Sequence, residues 1–201
     1  MRAATASLAT LALAIASATA SAPALAERAD RSKPMVVEAD RPGTVDLQRQ
    51  VVVFNGNVVV TQGTMTLRAD RVEMRELPDG YRTATAVGSA AAPATWRQKR
   101  DGGDETVEGS AERIEFDGRT DTVRFTGHGV VRRLRAGSVV DEITGGTIAW
   151  DNATEVFKVE GGSPTATNPS GRVRVVLSPP PDAASAPGPA PPAPGGGATK
   201  R

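Results

Sequence analysis

The sequence has no cysteine, a single histidine and few aromatic side chains, which make up 3% of its 201 residues. Without thiols it can form neither disulfides nor zinc–thiolate sites, and cysteine catalysis is excluded. One imidazole cannot build a histidine metal cluster. We therefore expect no metal and no cofactor, and we expect stability to come from packing and strand pairing alone.

An excess of charge of one sign is also missing. The chain holds 24 basic and 23 acidic residues, and the loss of Arg2 with the leader described next leaves 23 of each. A neutral chain offers no global field to nucleic acid. Its basic clusters are not interleaved with the aromatic residues on which single-stranded bases stack. Nucleic acid is therefore not an expected partner.

Long hydrophobic runs are absent except at the N-terminus. Residues 1–26 begin with Met1-Arg2, continue as an Ala- and Leu-rich stretch and end at Ala24-Leu25-Ala26. This pattern predicts a signal peptide cleaved after Ala26, because the apolar stretch is too short to span ~30 Å of hydrocarbon. We expect an exported protein whose residues 27–34 lead into the folded domain.

The C-terminal residues 178–201 contain eight prolines, a Gly-Gly-Gly run and almost no large apolar side chain. Such a segment cannot bury enough apolar surface to fold, so a disordered tail is predicted. Residues 35–177 remain as one domain of ordinary size.

Within that domain, short β-branched runs alternate with turn residues, and no segment shows a helical apolar period. The pattern predicts an all-β fold that is a sandwich, a barrel or a solenoid. The predicted strands are 35–39, 51–62, 64–74, 81–87, 94–99, 105–116, 122–134, 138–143, 145–150, 155–160 and 171–177.

Two phrases recur along these strands. The pattern apolar-x-apolar-x-Gly occupies residues 52–56, 123–127 and 157–161, and ADRVEM at 69–74 corresponds to AERIEF at 111–116. Recurrence at about 30 to 40 residues indicates repeated supersecondary units. The apolar alternation changes phase between Leu67 and Val72, which predicts a bend or bulge at Ala69-Asp70.

Catalytic candidates are few. His128 stands between two glycines, and Asp104, Glu105, Asp121, Asp141, Glu142 and Asp151 lie at predicted turns or strand ends, where solvated carboxylates are common. The densest basic cluster is Arg132, Arg133 and Arg135, which is either a phosphate-binding group or a charged solvent face. No catalytic residue is predicted.

Six phrases stand in one order along the domain: SKPMVVEAD (32–40), VFNGNVVVTQG (53–63), ADRV (69–72), PATW (93–96), VEGSA (107–111) and FTGHG (125–129). Together they resemble the OstA-like family. The resemblance covers residues 32–162. The Pro-rich tail and the segment around 90–94 depart from the family pattern.

The resemblance implies an open, twisted, V-shaped β-jellyroll built from stacked repeating strand units. It also implies a non-enzymatic carrier whose apolar groove holds the lipid A acyl chains of lipopolysaccharide. Copies would associate head to tail through edge strands, with homologous inner-membrane-anchored and outer-membrane transport components at the ends of a bridge. The candidate groove residues, each of which could instead be sealed core, are Val52, Phe54, Val58, Met65, Leu67, Met74, Trp96, Ile114, Phe116, Phe125, Ile148, Trp150 and Phe157.

A second interpretation stays open at this point. Many short strands with periodic glycines also suit a secreted β-solenoid that acts on polysaccharides or binds saccharides.

Overall fold

A computed structural model describes residue 30 and residues 32–100, 104–164 and 168–179. The predicted signal peptide and most of the predicted tail lie outside these residues. In the described part of the chain, no helix is long and apolar enough to cross a membrane. The strands are β1 (Met35–Glu38), β2 (Arg41–Asp46), β3 (Val51–Gln62), β4 (Met65–Glu76), β5 (Arg82–Val87), β6 (Ala94–Lys99), β7 (Glu105–Ala111), β8 (Arg113–Asp117), β9 (Thr122–Arg135), β10 (Ser138–Asp151), β11 (Val156–Glu160) and β12 (Arg174–Leu177).

Two long hairpins, β3–β4 and β9–β10, organise the fold. Each of these four strands changes its neighbour midway: β4 pairs with β6 through residues 66–68 and with β5 through 71–76. Likewise β9 pairs with β8 through 122–126 and with β7 through 130–135. One strand can serve two sheets in this way only if it bends between them.

The bends line up across the fold in what we call the corner row, which consists of Asp40, Gly56, Asp70, Gly88, Glu112, Gly127 and Gly146. Gly56 and Gly127 have φ angles of 78° and 80°, a left-handed backbone that glycine adopts readily. Hydrogen bonds link neighbours in the row, from the Glu112 N–H to the Gly127 carbonyl (2.9 Å) and from the Gly88 N–H to the Glu112 carbonyl (2.8 Å).

The corner row divides the sheet into two arms. Arm one runs in the order β1-β3-β4-β6-β7-β9-β10-β12 and arm two in the order β2-β3-β4-β5-β8-β9-β10-β11. All described pairings are antiparallel. The prediction of an all-β, folded jellyroll is confirmed, whereas a parallel solenoid is not what these strands form.

The core lies between the arms. Phe125 of arm two and Val58 and Val60 of arm one are among its most completely buried side chains. The buried cluster comprises Val58, Val60, Leu67, Ala69, Val72, Ala86, Ala94, Trp96, Val107, Ala111, Ile114, Val123, Phe125, Val131, Ile148 and Trp150.

The strand predictions match the structure most closely at residues 51–62 and 94–99, which form β3 and β6 as predicted. Three predictions are wrong. Residues 105–116 form two strands separated at Glu112, and 138–143 and 145–150 form the single strand β10. Strand β2 was not predicted, because Pro42 and Gly43 are unusual inside a strand. In the structure both residues lie at a register shift on an edge strand, where proline is tolerated.

The recurring phrases acquire a structural meaning. In Ala69-Asp70-Arg71-Val72 and in its counterpart 111–114, the acidic residue stands on the corner row. The predicted change of phase is confirmed, since Leu67 and Ala69 are buried before the corner and Val72 after it. Each copy of the repeated phrase therefore supplies one position of the corner row.

Close approach of the arms at Gly109 yields the first prediction. A Cβ at this position in β7 would overlap the ring of Phe125, which crosses from arm two. We expect Gly109→Ala to lower the free energy of unfolding by about 1–3 kcal/mol, the usual cost of overpacking. Denaturant unfolding measures it. Ser110→Ala is the control, because alternation places that side chain on the other face. Equal stability of Gly109→Ala and wild type would contradict the close approach.

Candidate functional site

An apolar cavity of about 120 Å³ lies between the two arms on the side away from the corner row. Arm one contributes Met65 and Trp96 to its wall, and arm two contributes Met74 and Phe116. Among the described residues, the apolar wall comprises Met35, Val60, Met65, Leu67, Met74, Ala84, Trp96, Ile114, Phe116, Val123 and Trp150. Methionine and aromatic side chains adapt to irregular apolar shapes, as a flexible hydrocarbon ligand would require.

Polar side chains line the cavity near the tips of the arms. Gln98 of arm one donates through Nε2 to Asp30 Oδ2 at 3.2 Å, and Thr64 donates to the same carboxylate oxygen. On arm two, Asn152 Nδ2 lies 3.3 Å from Asp121 Oδ2. Asp30, Gln98, Asp121 and Asn152 all line the cavity.

The carboxylate of Asp30 is held in its charged form. Burial disfavours that form, but hydrogen bonds from Thr64 and Gln98 outweigh it and hold the pKa of Asp30 below its ordinary value. At neutral pH the polar end of the cavity therefore carries negative charge.

Trp150 joins the aromatic side chains of the two arms. Its ring stacks on Phe157 with centroids 5.6 Å apart, and it meets Trp96 of arm one edge-on at 5.3 Å. The indole is 2% exposed, yet its Nε1–H has no hydrogen-bond partner within the described part of the chain. The same holds for Oδ1 of Asn152.

The structure divides the predicted groove residues into three groups. Val58, Phe125 and Ile148 are 0% exposed and lie in the closed core. Phe54 and Phe157 are partly buried and pack against that core, and Val52 is half-buried. The predicted residues that line the cavity are Met65, Leu67, Met74, Trp96, Ile114, Phe116 and Trp150.

Sequence reasoning missed several residues of the wall. Val60 and Val123 share the alternation that identified their neighbours, so the inward face of each strand could have revealed them. Asp30, Asp121 and Asn152 lie outside the strands and follow no period. The sequence marked Asp121 only as a solvated carboxylate at a predicted turn, and no pattern marked Asp30 or Asn152.

The arm tips are tied together by charge. Arg100, after β6 of arm one, forms a salt bridge with Glu155 in the β10–β11 turn of arm two. Arg100 also lies 3.6 Å from Glu105, which accepts hydrogen bonds from Arg135 at 2.6 and 3.1 Å. The hydrogen bonds from Arg135 hold the pKa of Glu105 below its ordinary value, and the charge of Arg133 adds to the effect.

The basic cluster is occupied by carboxylates of the protein itself. Arg132 donates to Glu142 at 2.8 Å, and Arg133 pairs with Asp141. His128 stands on the corner with a φ of 54°, and its Nδ1 lies 2.7 Å from Oε1 of Glu112. The pairing of Arg132 and Arg133 with carboxylates favours a charged structural face over a phosphate-binding site. The contact with Glu112 gives His128 a structural role beside the corner row.

The family described as LptA/(LptD N-terminal domain) LPS transport protein matches residues 36–156, which include most of both arms and most of the cavity wall. The chain belongs to this family. A solved structure from Pseudomonas aeruginosa has the same architecture, with 25% sequence identity, a TM-score of 0.61 and coverage of 75% of this chain and 99% of that chain. That structure is of LptH, the LptA-homologous periplasmic component of a lipopolysaccharide transport device.

Two curated members of the LptA/LptD N-terminal family are similar in sequence. The lipopolysaccharide export system protein LptA of Escherichia coli K12 is 35% identical over 125 residues, 62% of this chain and 66% of the relative. The match thus spans just under two thirds of that relative. LptA of Haemophilus influenzae is 27% identical over 80% of this chain and 86% of its own length.

The partly exposed charge network around Glu105 at the arm tips yields a pH-dependent prediction. We expect Glu105→Gln to lower the free energy of unfolding at pH 7 by about 1–2 kcal/mol, because several arginines lose a charged partner. The pKa of Glu105 is lowered in the folded state. Its contribution is therefore complete above the unfolded pKa of about 4.3 and is lost as the pH falls through the folded pKa.

Denaturant unfolding of Glu105→Gln and wild type at pH 7 and at about pH 3 measures the effect, and the difference should shrink in acid. Glu73→Gln is the control, since Glu73 makes only exposed pairs with Arg71 and Arg75, which contribute about 0–1 kcal/mol. A difference that is the same at both pH values would contradict the assigned role.

Proposed function

We propose that the protein binds lipopolysaccharide through its lipid A acyl chains, held between the two arms, and passes it along a periplasmic bridge from the inner to the outer membrane. The observation that carries this proposal is the apolar cavity, shared by both arms, in a chain of a lipopolysaccharide transport family. The names of the relatives from E. coli and H. influenzae support the cargo, and the description of P. aeruginosa LptH as a periplasmic component supports the compartment.

The energetics favour the acyl chains as the part that is held. Burial of one methylene contributes about 0.8 kcal/mol, so a chain of a dozen carbons supplies on the order of 10 kcal/mol. A charged hydrogen bond contributes roughly 1.5–3 kcal/mol. Arg132 and Arg133 already pair with Glu142 and Asp141, which leaves the apolar wall as the principal source of affinity.

The proposed role requires no covalent chemistry. Transfer of a lipid between similar apolar sites breaks no bond, and the described site holds no arrangement of nucleophile, base and orienting group. His128 is paired with Glu112 on the corner row, outside the cavity wall. We therefore propose a carrier rather than an enzyme.

Site-specific photocrosslinking tests the cargo. A benzophenone amino acid at Met65 or Phe116, which line the cavity from different arms, should label lipopolysaccharide. Leu47, which is 84% exposed in the β2–β3 turn, is the control position and should give several-fold less product. Gel mobility with immunodetection of lipopolysaccharide reads out the adduct. If labelling at Leu47 equals labelling at both cavity positions, the carrier proposal is wrong.

The bridge is proposed to form through the edges of arm one. Within residues 32–100, 104–164 and 168–179, its outer strands β1 and β12 each pair on one side only, and neither contains proline. Val36 and Val175 are 52% and 49% exposed on these edges. Unpaired strand edges accept further strands.

The opposite positions of β1 and β12 in arm one determine the kind of assembly. A joint between unlike edges is heterologous and does not close, so copies would add head to tail. Homologous inner-membrane-anchored and outer-membrane components would cap such a rod. By contrast, β2 of arm two carries Pro42 and a register shift, features that hinder strand addition.

Proline at Val175 tests the joint. The Ser178 N–H donates to the Val140 carbonyl at 3.0 Å, and antiparallel alternation then turns the Val175 N–H away from β10, toward an added strand. We expect Val175→Pro to reduce the concentration-dependent mass in light scattering while thermal unfolding of the monomer changes little. Val175→Ala keeps the N–H and serves as the control. Oligomers of unchanged size in Val175→Pro would exclude β12 as the joint.

A further inference from the structure

Two polar atoms in the wall of the otherwise apolar cavity have no hydrogen-bond partner among the described residues. They are Nε1 of Trp150, whose side chain is 2% exposed, and Oδ1 of Asn152. Buried polar groups in proteins are almost always paired, and an unpaired one requires an explanation. Both residues line the cavity, so a ligand in it is the natural partner.

The local geometry fixes which atoms remain available. The Asn152 N–H donates to the Asp121 carbonyl at 3.0 Å, which holds the turn after β10. Its side-chain Nδ2 faces the Asp121 carboxylate at 3.3 and 3.4 Å, so the amide nitrogen is used and the amide oxygen is left. Stacking on Phe157 holds the indole of Trp150. The cavity wall therefore presents one fixed donor, the Trp150 N–H, and one fixed acceptor, the Asn152 Oδ1.

One donor and one acceptor in the wall of the same cavity, two residues apart in the chain, complement a hydroxyl group, which accepts from the indole N–H and donates to the amide oxygen. An ester or ketone oxygen would satisfy Trp150 but leave Asn152 unpaired. An amine that is protonated at neutral pH has donors only, so it would leave the Trp150 N–H without an acceptor.

Charge excludes the common anionic alternatives. Asp30 and Asp121 both line the cavity, and among its described lining residues none is lysine or arginine. A carboxylate or phosphate placed there would meet two carboxylates in a described wall that contains no lysine or arginine, which disfavours its ionised form. An anion is therefore disfavoured, and a group with donors only fails to pair with Trp150.

We propose that Trp150 and Asn152 form a hydroxyl-selective subsite, so that the cavity takes an acyl chain bearing a hydroxyl group in preference to an unsubstituted chain. This inference rests on the proposed function and deepens it, because it concerns the kind of acyl chain that the carrier holds. Burial of the apolar chain supplies the affinity. The hydrogen bonds to the hydroxyl group select between chains and fix the position of the bound chain along the cavity.

The test compares three neutral probes on the full mature chain: methyl decanoate and its 3-hydroxy and 9-hydroxy derivatives. The chain has two tryptophans, so the indole Nε1–H signals in a nitrogen–proton correlation spectrum are assigned with Trp96→Phe. We expect at least one hydroxylated ester to bind about tenfold more tightly than methyl decanoate, as one or two neutral hydrogen bonds allow. That ester should also shift the Trp150 indole proton downfield.

Trp150→Phe keeps an aromatic ring against Phe157 and should reduce the preference to about onefold. Asn152→Ala is a second variant that leaves the indole in place and should weaken the same preference. Asn55→Ala is the matched control, because Asn55 accepts a hydrogen bond from Arg71 and does not line the cavity. It should leave the ratio of the affinities unchanged.

The outcomes separate the two proposals. Equal binding of all three esters would overturn the hydroxyl subsite, with water as the partner of the two atoms, and would leave the carrier intact. A preference that survives in both Trp150→Phe and Asn152→Ala would overturn the assignment to these residues. Failure of every ester to bind would overturn the subsite together with the acyl-chain part of the proposed function.

Discussion

The corner row is the constraint on which the rest of the structure depends. Four long strands cross it, and each must bend there while keeping its hydrogen bonds on both sides. Gly56 and Gly127 make the bend possible through a left-handed backbone, and the bonds between Glu112 and its neighbours tie the bends into one line. Because every strand folds at the same level, two apolar faces are brought together and a closed core forms without a disulfide.

The cavity exists because the core closes unevenly. Near the corner the arms touch, as Phe125 does over Gly109, and the side chains there are sealed. Toward the tips the arms diverge, and Met65, Met74 and Phe116 line open volume instead of filling it. The Arg100–Glu155 salt bridge then spans the tips. The same alternating strand therefore supplies sealed core at one end and cavity wall at the other.

This division explains how far sequence reasoning could go. Alternation identified the inward faces, so most of the apolar wall was predicted, and β3 was placed correctly because valine recurs along it. Alternation cannot say how far a residue lies from the corner, so Phe125 and Phe116 looked alike. Strand β2 was hidden by Pro42, and Asn152 and Asp30 became part of the site only through tertiary packing of segments outside the strands.

The unequal edges of the arms have a mechanical consequence. Arm one ends in two proline-free strands, whereas Pro42 and a register shift interrupt β2 at one edge of arm two. In a rod joined through arm one, that arm would form a continuous spine. The other arm would stay separate in every copy, held to its own part of the spine by the corner row, the shared core and the Arg100–Glu155 salt bridge. Under the proposed function, lipid could therefore enter or leave each protomer between the arm tips without breaking a strand joint of the rod.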